Sequence, residues 1–190
     1  MPEHKKQTDW ECKQHPTYLI LAALLVSIVF SLSICAGEKT DMSCQQPNPS
    51  PSSSRSIKPS VSGTRVIPQA VTASKRSPGG EPESATDGDV NTIWLAEYFA
   101  PQWIQFDLGE PTAVSEILLN VEQTPEGPTL HKIYGGPAPD NLKLLGTLGG
   151  NTQSRQWLAL KITATSVRYL KVVTTKSPSW VAWREIEVYK

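Results

Sequence analysis

The sequence predicts an all-β domain, an antiparallel β-sandwich or jelly roll of about eight short strands, at the C-terminal end of a chain that begins with an apolar segment and a Ser/Pro-rich linker. Three observations predict it. In Trp103–Leu108 the residues Ile104, Phe106 and Leu108 fall on one face and Trp103, Gln105 and Asp107 on the other, the two-residue period of a half-buried strand. Further short runs follow, separated by clusters such as Gly135-Gly136-Pro137 and Gly149-Gly150-Asn151, which read as turns. No stretch from Thr64 to Lys190 keeps a helical period over three turns.

Length sets the frame for the elements. A chain of 190 residues with 38% hydrophobic content accommodates one domain of ordinary size plus extras. Residues 1–17 read as a cytoplasmic tail. Tyr18–Ala36 is an uncharged apolar run of 19 residues, close to the roughly 20 needed to cross a bilayer. Lys5, Lys6 and Lys13 precede it and Lys39 follows, a bias that places the N-terminus inside and the C-terminus outside, weakened by Glu3, Asp9 and Glu11. We read it as an uncleaved signal anchor. A cleaved signal peptide remains open, and so does a lipid on Cys35, because Leu32–Cys35 followed by Ala36-Gly37 resembles a lipoprotein signal with Ile34 where a small residue is wanted.

Residues 37–63 read as linker: Met42–Gly63 is dominated by Ser and Pro, too poor in large apolar groups to offset the entropy of ordering the chain. Asn48-Pro49-Ser50 is excluded as a glycosylation acceptor by its central proline. The domain is then 64–190. After Trp103–Leu108, which Gly109 and Pro111 stop, come Ala113–Val121 with Ala113, Ser115, Ile117, Leu119 and Val121 on one face, then Leu130–Tyr134, Leu142–Leu145, Trp157–Ile162 and Arg168–Thr175. Arg184–Tyr189 closes the chain, with Ile186 and Val188 facing one way and Glu185, Glu187 and Tyr189 the other.

Composition excludes several functions. Cys12, Cys35 and Cys44 all lie before Thr64, so disulfides do not hold the domain. From Thr64 onward 12 basic residues face 13 acidic ones, a balance that argues against a nucleic-acid partner. A catalytic reading needs a nucleophile or an acid/base set in a pocket. The domain has no nucleophile elbow, His-rich metal motif, phosphate loop or cysteine, and is read as non-enzymatic.

The segments ATDGDVNTIW (Ala85–Trp94), PQWIQFDLG (Pro101–Gly109) and WREIEVY (Trp183–Tyr189) resemble the discoidin domain, also called the coagulation factor type C domain, whose bacterial members include carbohydrate-binding module family 32. The resemblance covers about Thr64 to Lys190 and implies a galactose-binding-like β-sandwich, often with a structural calcium ion. The residues allow such an ion: Asp87, Asp89 and Thr92 offer oxygens within a short turn that Gly88 tightens. By the family pattern Glu185 closes the site, with the main-chain carbonyls of Ser84 and Arg184. The plain alternative is that Asp87-Gly88 is a turn dipeptide and Glu185 a solvated carboxylate.

In this fold the ligand surface is usually built by loops at one end, and three are candidates. Glu122–Thr129, leading to His131, offers Gln123, Thr129 and His131 to sugar hydroxyls, or is an ordinary connection. Ser177–Trp183 carries two tryptophans; Trp183 reads as core and Trp180 as an exposed platform for the apolar face of a pyranose. Leu95–Pro101 brings Tyr98 and Phe99, with Phe99 also readable as a cap on the core; Trp94 and Trp103 are assigned to packing. The expected function is a membrane-anchored, exported module that binds carbohydrate on the cell envelope or extracellular surface. The alternative is an adhesion module for a protein or phospholipid headgroup, since relatives of this fold bind those as well.

Overall fold

The computed structural model describes residues 56–190, and the tail, the apolar segment Tyr18–Ala36 and most of the linker lie outside them. Among the described residues no helix is long and apolar enough to cross a membrane. The described chain is antiparallel β throughout apart from one 3-10 turn, Pro82–Ala85. Its strands are β1 (Arg65–Val66), β2 (Ala70–Ala73), β3 (Trp94–Leu95), β4 (Gln102–Glu122), β5 (Gly127–Ala138), β6 (Asn141–Thr152), β7 (Trp157–Lys176) and β8 (Ala182–Tyr189).

Two strands are far longer than their sequence runs suggest, because each serves both halves of the sandwich. The first part of β4 pairs with β2 and with Tyr169–Thr174 of β7, whereas Glu116–Glu122 pairs with Trp157–Lys161 of β7 and with β8. β5 joins the outer part of β7 and carries β6, so the sheet order is β1-β8-β4-β7-β5-β6. Gly109 and Pro111, expected to stop a strand, sit where the ladder skips from Asp107 to Thr112. There the chain passes from one half to the other, so an absent proline N–H costs no bond. Gly109, at φ 85, passes hard against Gln69.

The core lies between the two halves. Ile104, Phe106, Leu170, Val172 and Ile133 from one side meet Ile117, Leu119, Val121, Trp183, Ile186 and Val188 from the other, each large side chain contributing about 1.5–3 kcal/mol when removed from water. The alternation read in Trp103–Leu108 and Arg168–Thr175 is the one observed; in Arg184–Tyr189, Ile186 and Val188 join the core as read, while Glu185, Glu187 and Tyr189 on the other face are buried as well. In Ala113–Val121 it holds only from Ile117. A bulge between Val114 and Glu116 inserts one residue, which reverses the pleat and puts Val114, rather than Ala113 or Ser115, in the core.

Both glycine clusters read as turns belong to strands. Gly135 lies in β5, where a Cβ would strike Leu145, Val167 and Leu170, and Gly149-Gly150 lies in β6 opposite Leu130 and Thr129. Glycine permits close approach there. Trp103 also departs from its expected packing role: it stands half-buried on the outer sheet face with Lys171 Nζ 4.0 Å from its ring centroid, whereas Trp94 is fully buried and donates Nε1–H to Lys75 O. Residues 56–63, read as linker, lie against the domain. Ser56 Oγ accepts from Trp157 N–H at 3.0 Å and Lys58 Nζ lies 2.6 Å from Glu187. Next to them, Thr64 N–H donates to Lys190 O at 3.0 Å.

Candidate functional site

Three connections meet at one end of the sandwich: Ala96–Pro101 between β3 and β4, Gln123–Glu126 between β4 and β5, and Ser177–Val181 between β7 and β8. The first and third are joined by the backbone. Ala96 N–H donates to Val181 O and Val181 N–H to Tyr98 O, both at 3.0 Å. The bend this requires falls at Glu97, with φ 55. Gln123 ties the second loop together by donating Nε2–H to Gly127 O at 3.3 Å, and Ser177 Oγ donates to its Oε1 at 3.5 Å. Gly127 lets the second loop close on the third, since a Cβ there would lie 3.1 Å from Pro178.

An open cleft of about 330 Å³ lies between these loops, walled by Leu95, Phe99, Pro125, Pro178, Trp180 and Ala182. Trp180 is 48% and Phe99 59% exposed, a large apolar aromatic surface for a monomeric domain to leave in water. Tyr98, 56% exposed, stands outside the cleft with Lys75 Nζ 5.5 Å from its ring centroid. Of the sequence-predicted ligand residues, only Trp180 therefore lines the cleft.

Gln123, Thr129 and His131 are buried beneath it, a correction to their expected role as surface hydrogen-bonding groups. The physical reason is the strand pleat. Thr129 and His131 fall on the inward face of β5, where Thr129 hydrogen-bonds Thr152 and His131 Nδ1 lies 3.0 Å from Thr174 Oγ1. The His131 ring packs edge-on against Trp183, centroids 4.8 Å apart. A cavity of about 10 Å³ is lined by His131, Trp183 and Gln123 together with Trp180. Nothing in the linear pattern of EQTPEGPTLH marks which side of β5 faces the core.

Burial lowers the His131 imidazole from 6.5 to about 4, while an unfolded chain protonates it below about 6.5. Stability from this group is complete above pH 6.5 and is lost as pH falls toward 4, by up to roughly 3 kcal/mol. Unfolding of residues 56–190 in urea across that range should show the loss, and His131→Leu should remove it. Equal pH slopes in the two proteins would eliminate His131 as the cause.

The acidic turn lies elsewhere, between the 3-10 turn and β3. Thr92 Oγ1 stands 2.8 Å from Asp87 Oδ2, 3.1 Å from Asp87 Oδ1, 2.7 Å from Asp89 O and 3.2 Å from Ser84 O. One hydroxyl has a single proton and cannot satisfy four acceptors; an oxygen-only cluster of this kind suits a hard cation. The Asp89 carboxylate is not in the cluster: it accepts from Asn91 N–H and Nδ2–H, leaving the Asp89 carbonyl to face Thr92. Arg184 is the residue skipped where the β4–β8 register jumps, and its guanidinium holds Val90 O and Glu122. Glu185 is 1% exposed, with Oε2 accepting from Gly88 N–H at 3.0 Å and Oε1 from Arg65 at 2.5 Å. Burial pushes its carboxyl up to about 7, against the pull of the Arg65 guanidinium and the Gly88 N–H. Arg65 carries no recognisable signal in the sequence; its part follows from the pairing of β1 with β8.

Comparison with known proteins agrees with this architecture. The family model for the F5/8 type C domain matches residues 70–186. The chain belongs to that family. The F5/8 type C match includes the acidic turn, all three cleft loops and most of β8. No curated protein sequence matches the chain. Among solved structures, the CBM32 module of AlyQ in complex with 4,5-unsaturated mannuronic acid is 26% identical, with a TM-score of 0.60 over 66% of this chain and 98% of that one. Chitosan-binding module 1 from a Paenibacillus sp. IK-5 chitosanase/glucanase is 25% identical, with a TM-score of 0.56 over 66% of this chain and 97% of its own. A Clostridium perfringens CBM32 module in complex with GalNAc-β-1,3-galactose, at 21% identity and a TM-score of 0.58 over 67% and 100%, shares the fold. The F5/8 type C domain described here thus has the galactose-binding-like β-sandwich of the carbohydrate-binding modules.

Proposed function

We propose that this F5/8 type C domain binds carbohydrate without catalysis, in the cleft faced by Trp180 and Phe99. The observation that carries the reading is the convergence of three loops, two joined by backbone hydrogen bonds and the third tied in through Gln123 and Ser177, on an exposed tryptophan. An indole held in one orientation offers a flat face to the C–H side of a pyranose at little entropic cost. His131 and the Thr174 hydroxyl it contacts are both buried, away from any ligand in the cleft, and the carbohydrate complex of a similar module supports the class of ligand. A glycan array probed with residues 56–190, whose core is complete in itself, tests the reading. Selective sugar spots are expected, and a blank array from folded protein would defeat it.

The same reading places the domain outside the cell on a membrane anchor at Tyr18–Ala36, with the preceding tail inside. Protease added to intact cells should remove the β domain and spare the N-terminal tail. Protection of the domain in intact cells would contradict the exported orientation.

We further propose a structural calcium ion at the acidic turn, held by Asp87, Thr92 and the carbonyls of Ser84 and Asp89, with Glu185 and the Arg184 carbonyl as the closing partners. Its role is to pin the turn to the last strand; such a cage leaves no position for a substrate. Calcium should raise the melting temperature of residues 56–190, chelator should lower it, and Asp87→Ala should make the melt indifferent to both. An effect of about 2 kcal/mol corresponds to calcium at tens of times its dissociation constant. A melt unmoved by chelator would remove the ion.

A further inference from the structure

The charge of the cleft narrows the class of ligand, and on the glycan reading given above we infer that it selects uncharged sugars and rejects those bearing carboxylate or sulfate. Its one charged lining residue is Glu122. That carboxylate is held in place, accepting from Ser154 Oγ at 2.9 Å and pairing with Arg184 Nε, while Arg184 donates its other arm to Val90 O at 2.9 Å. The guanidinium is thus held between Glu122 and Val90 and is not among the residues that line the cleft. The loops Leu95–Pro101, Glu122–Thr129 and Ser177–Trp183 contain Glu97, Glu122 and Glu126 and no lysine or arginine. Lys75 sits over the ring of Tyr98, outside the cleft lining.

An anionic sugar seated against Trp180 must give up water around its charge beside the ion-paired Glu122, with no cation among the lining residues to replace that water. A charge desolvated without a partner in this way is a specificity device, suppressing one class of ligand without adding affinity for another. A neutral pyranose bears no such cost. Its C–H face covers the indole and its hydroxyls reach the rim, where Thr124 and Ser179 are the polar lining residues besides Glu122.

The test compares galactotriose with trigalacturonic acid, two probes of equal length that differ in the carboxylate, binding to the full chain in mild detergent. Galactotriose should bind with an affinity that salt hardly changes, and trigalacturonic acid at least about tenfold more weakly at low salt, with the gap narrowing near 0.5 M salt as screening sets in. Thr124 is exposed on the rim, so Thr124→Lys adds a cation there without touching the core. It should raise the affinity for trigalacturonic acid relative to that for galactotriose by about fivefold or more. Trigalacturonic acid binding as tightly as galactotriose would overturn the inference and leave the glycan reading standing. A Thr124→Lys chain with no gain for the uronate would overturn it too, since the discrimination would not be electrostatic. Binding of neither trisaccharide, with a blank glycan array, would remove the glycan reading and this inference together.

Discussion

Trp180→Ala is expected to abolish glycan binding while leaving the fold intact. The side chain is half exposed and its outer face forms a wall of the cleft, so its removal deletes contact area from the ligand and little from the core. Aromatic anchors at the centre of a binding surface commonly account for 2 kcal/mol or more, roughly a thirtyfold loss of affinity; for a ligand that starts at micromolar to millimolar strength, that is loss beyond detection. The melting temperature should move by no more than about 2 °C, as for exposed substitutions in general. Isothermal titration with any sugar found on the array, set beside a thermal melt, separates the two effects. Undiminished affinity in a folded Trp180→Ala protein would move the site away from this cleft. If the ligand is instead a protein, the loss should be partial and spread over Tyr98 and Phe99, because a protein footprint is several times wider than a sugar.

Trp183→Ala, three residues along, should do the reverse in kind. Trp183 is 1% exposed, stacks edge-on against His131 and pairs with Trp94 across β3 and β8. Truncating a buried tryptophan costs about 3–5 kcal/mol through lost transfer energy and the cavity left behind. For a domain of this size that should lower the melting temperature by more than about 10 °C. Sugar affinity should fall only as far as the Trp180 loop loses its support, and Trp183→Phe should restore most of the stability. Chemical unfolding of residues 56–190 reads this directly; a loss below about 1 kcal/mol would show that Trp183 is not the keystone of the layer beneath the cleft. Two tryptophans in SPSWVAW thus part company, one acting on the ligand and the other on the fold.

How that division was legible shows the reach of the sequence. Trp183 reads as core because it directly precedes the last strand, and Trp180 as exposed because it follows Ser179 in a Pro-containing loop; a strict two-residue period would put Trp183 on the Glu185 face, and the register jump at Arg184 turns it to the core. The same period failed for Ala113–Val121, where a bulge reverses the pleat midway, and for Thr129 and His131, whose side of β5 depends on a register fixed by β6 and β7. Asp89 was legible as a turn acid and not as a carbonyl donor, because a local Asx-type bond to Asn91 turns its carboxylate aside.

By itself the sequence determined the all-β class, the alternation of the central strands, the family and the identity of the exposed tryptophan. Each rests on local rules: a two-residue period, turn residues, and motifs whose members lie within about ten positions of one another. Only the tertiary structure decided that β4 and β7 run through both halves of the sandwich, that loops distant in sequence meet around one cleft, that His131 is buried against Trp183, and that Arg184 pairs with Glu122 and Arg65 with Glu185. These depend on long-range register, where displacement by a single residue moves every side chain to the opposite face.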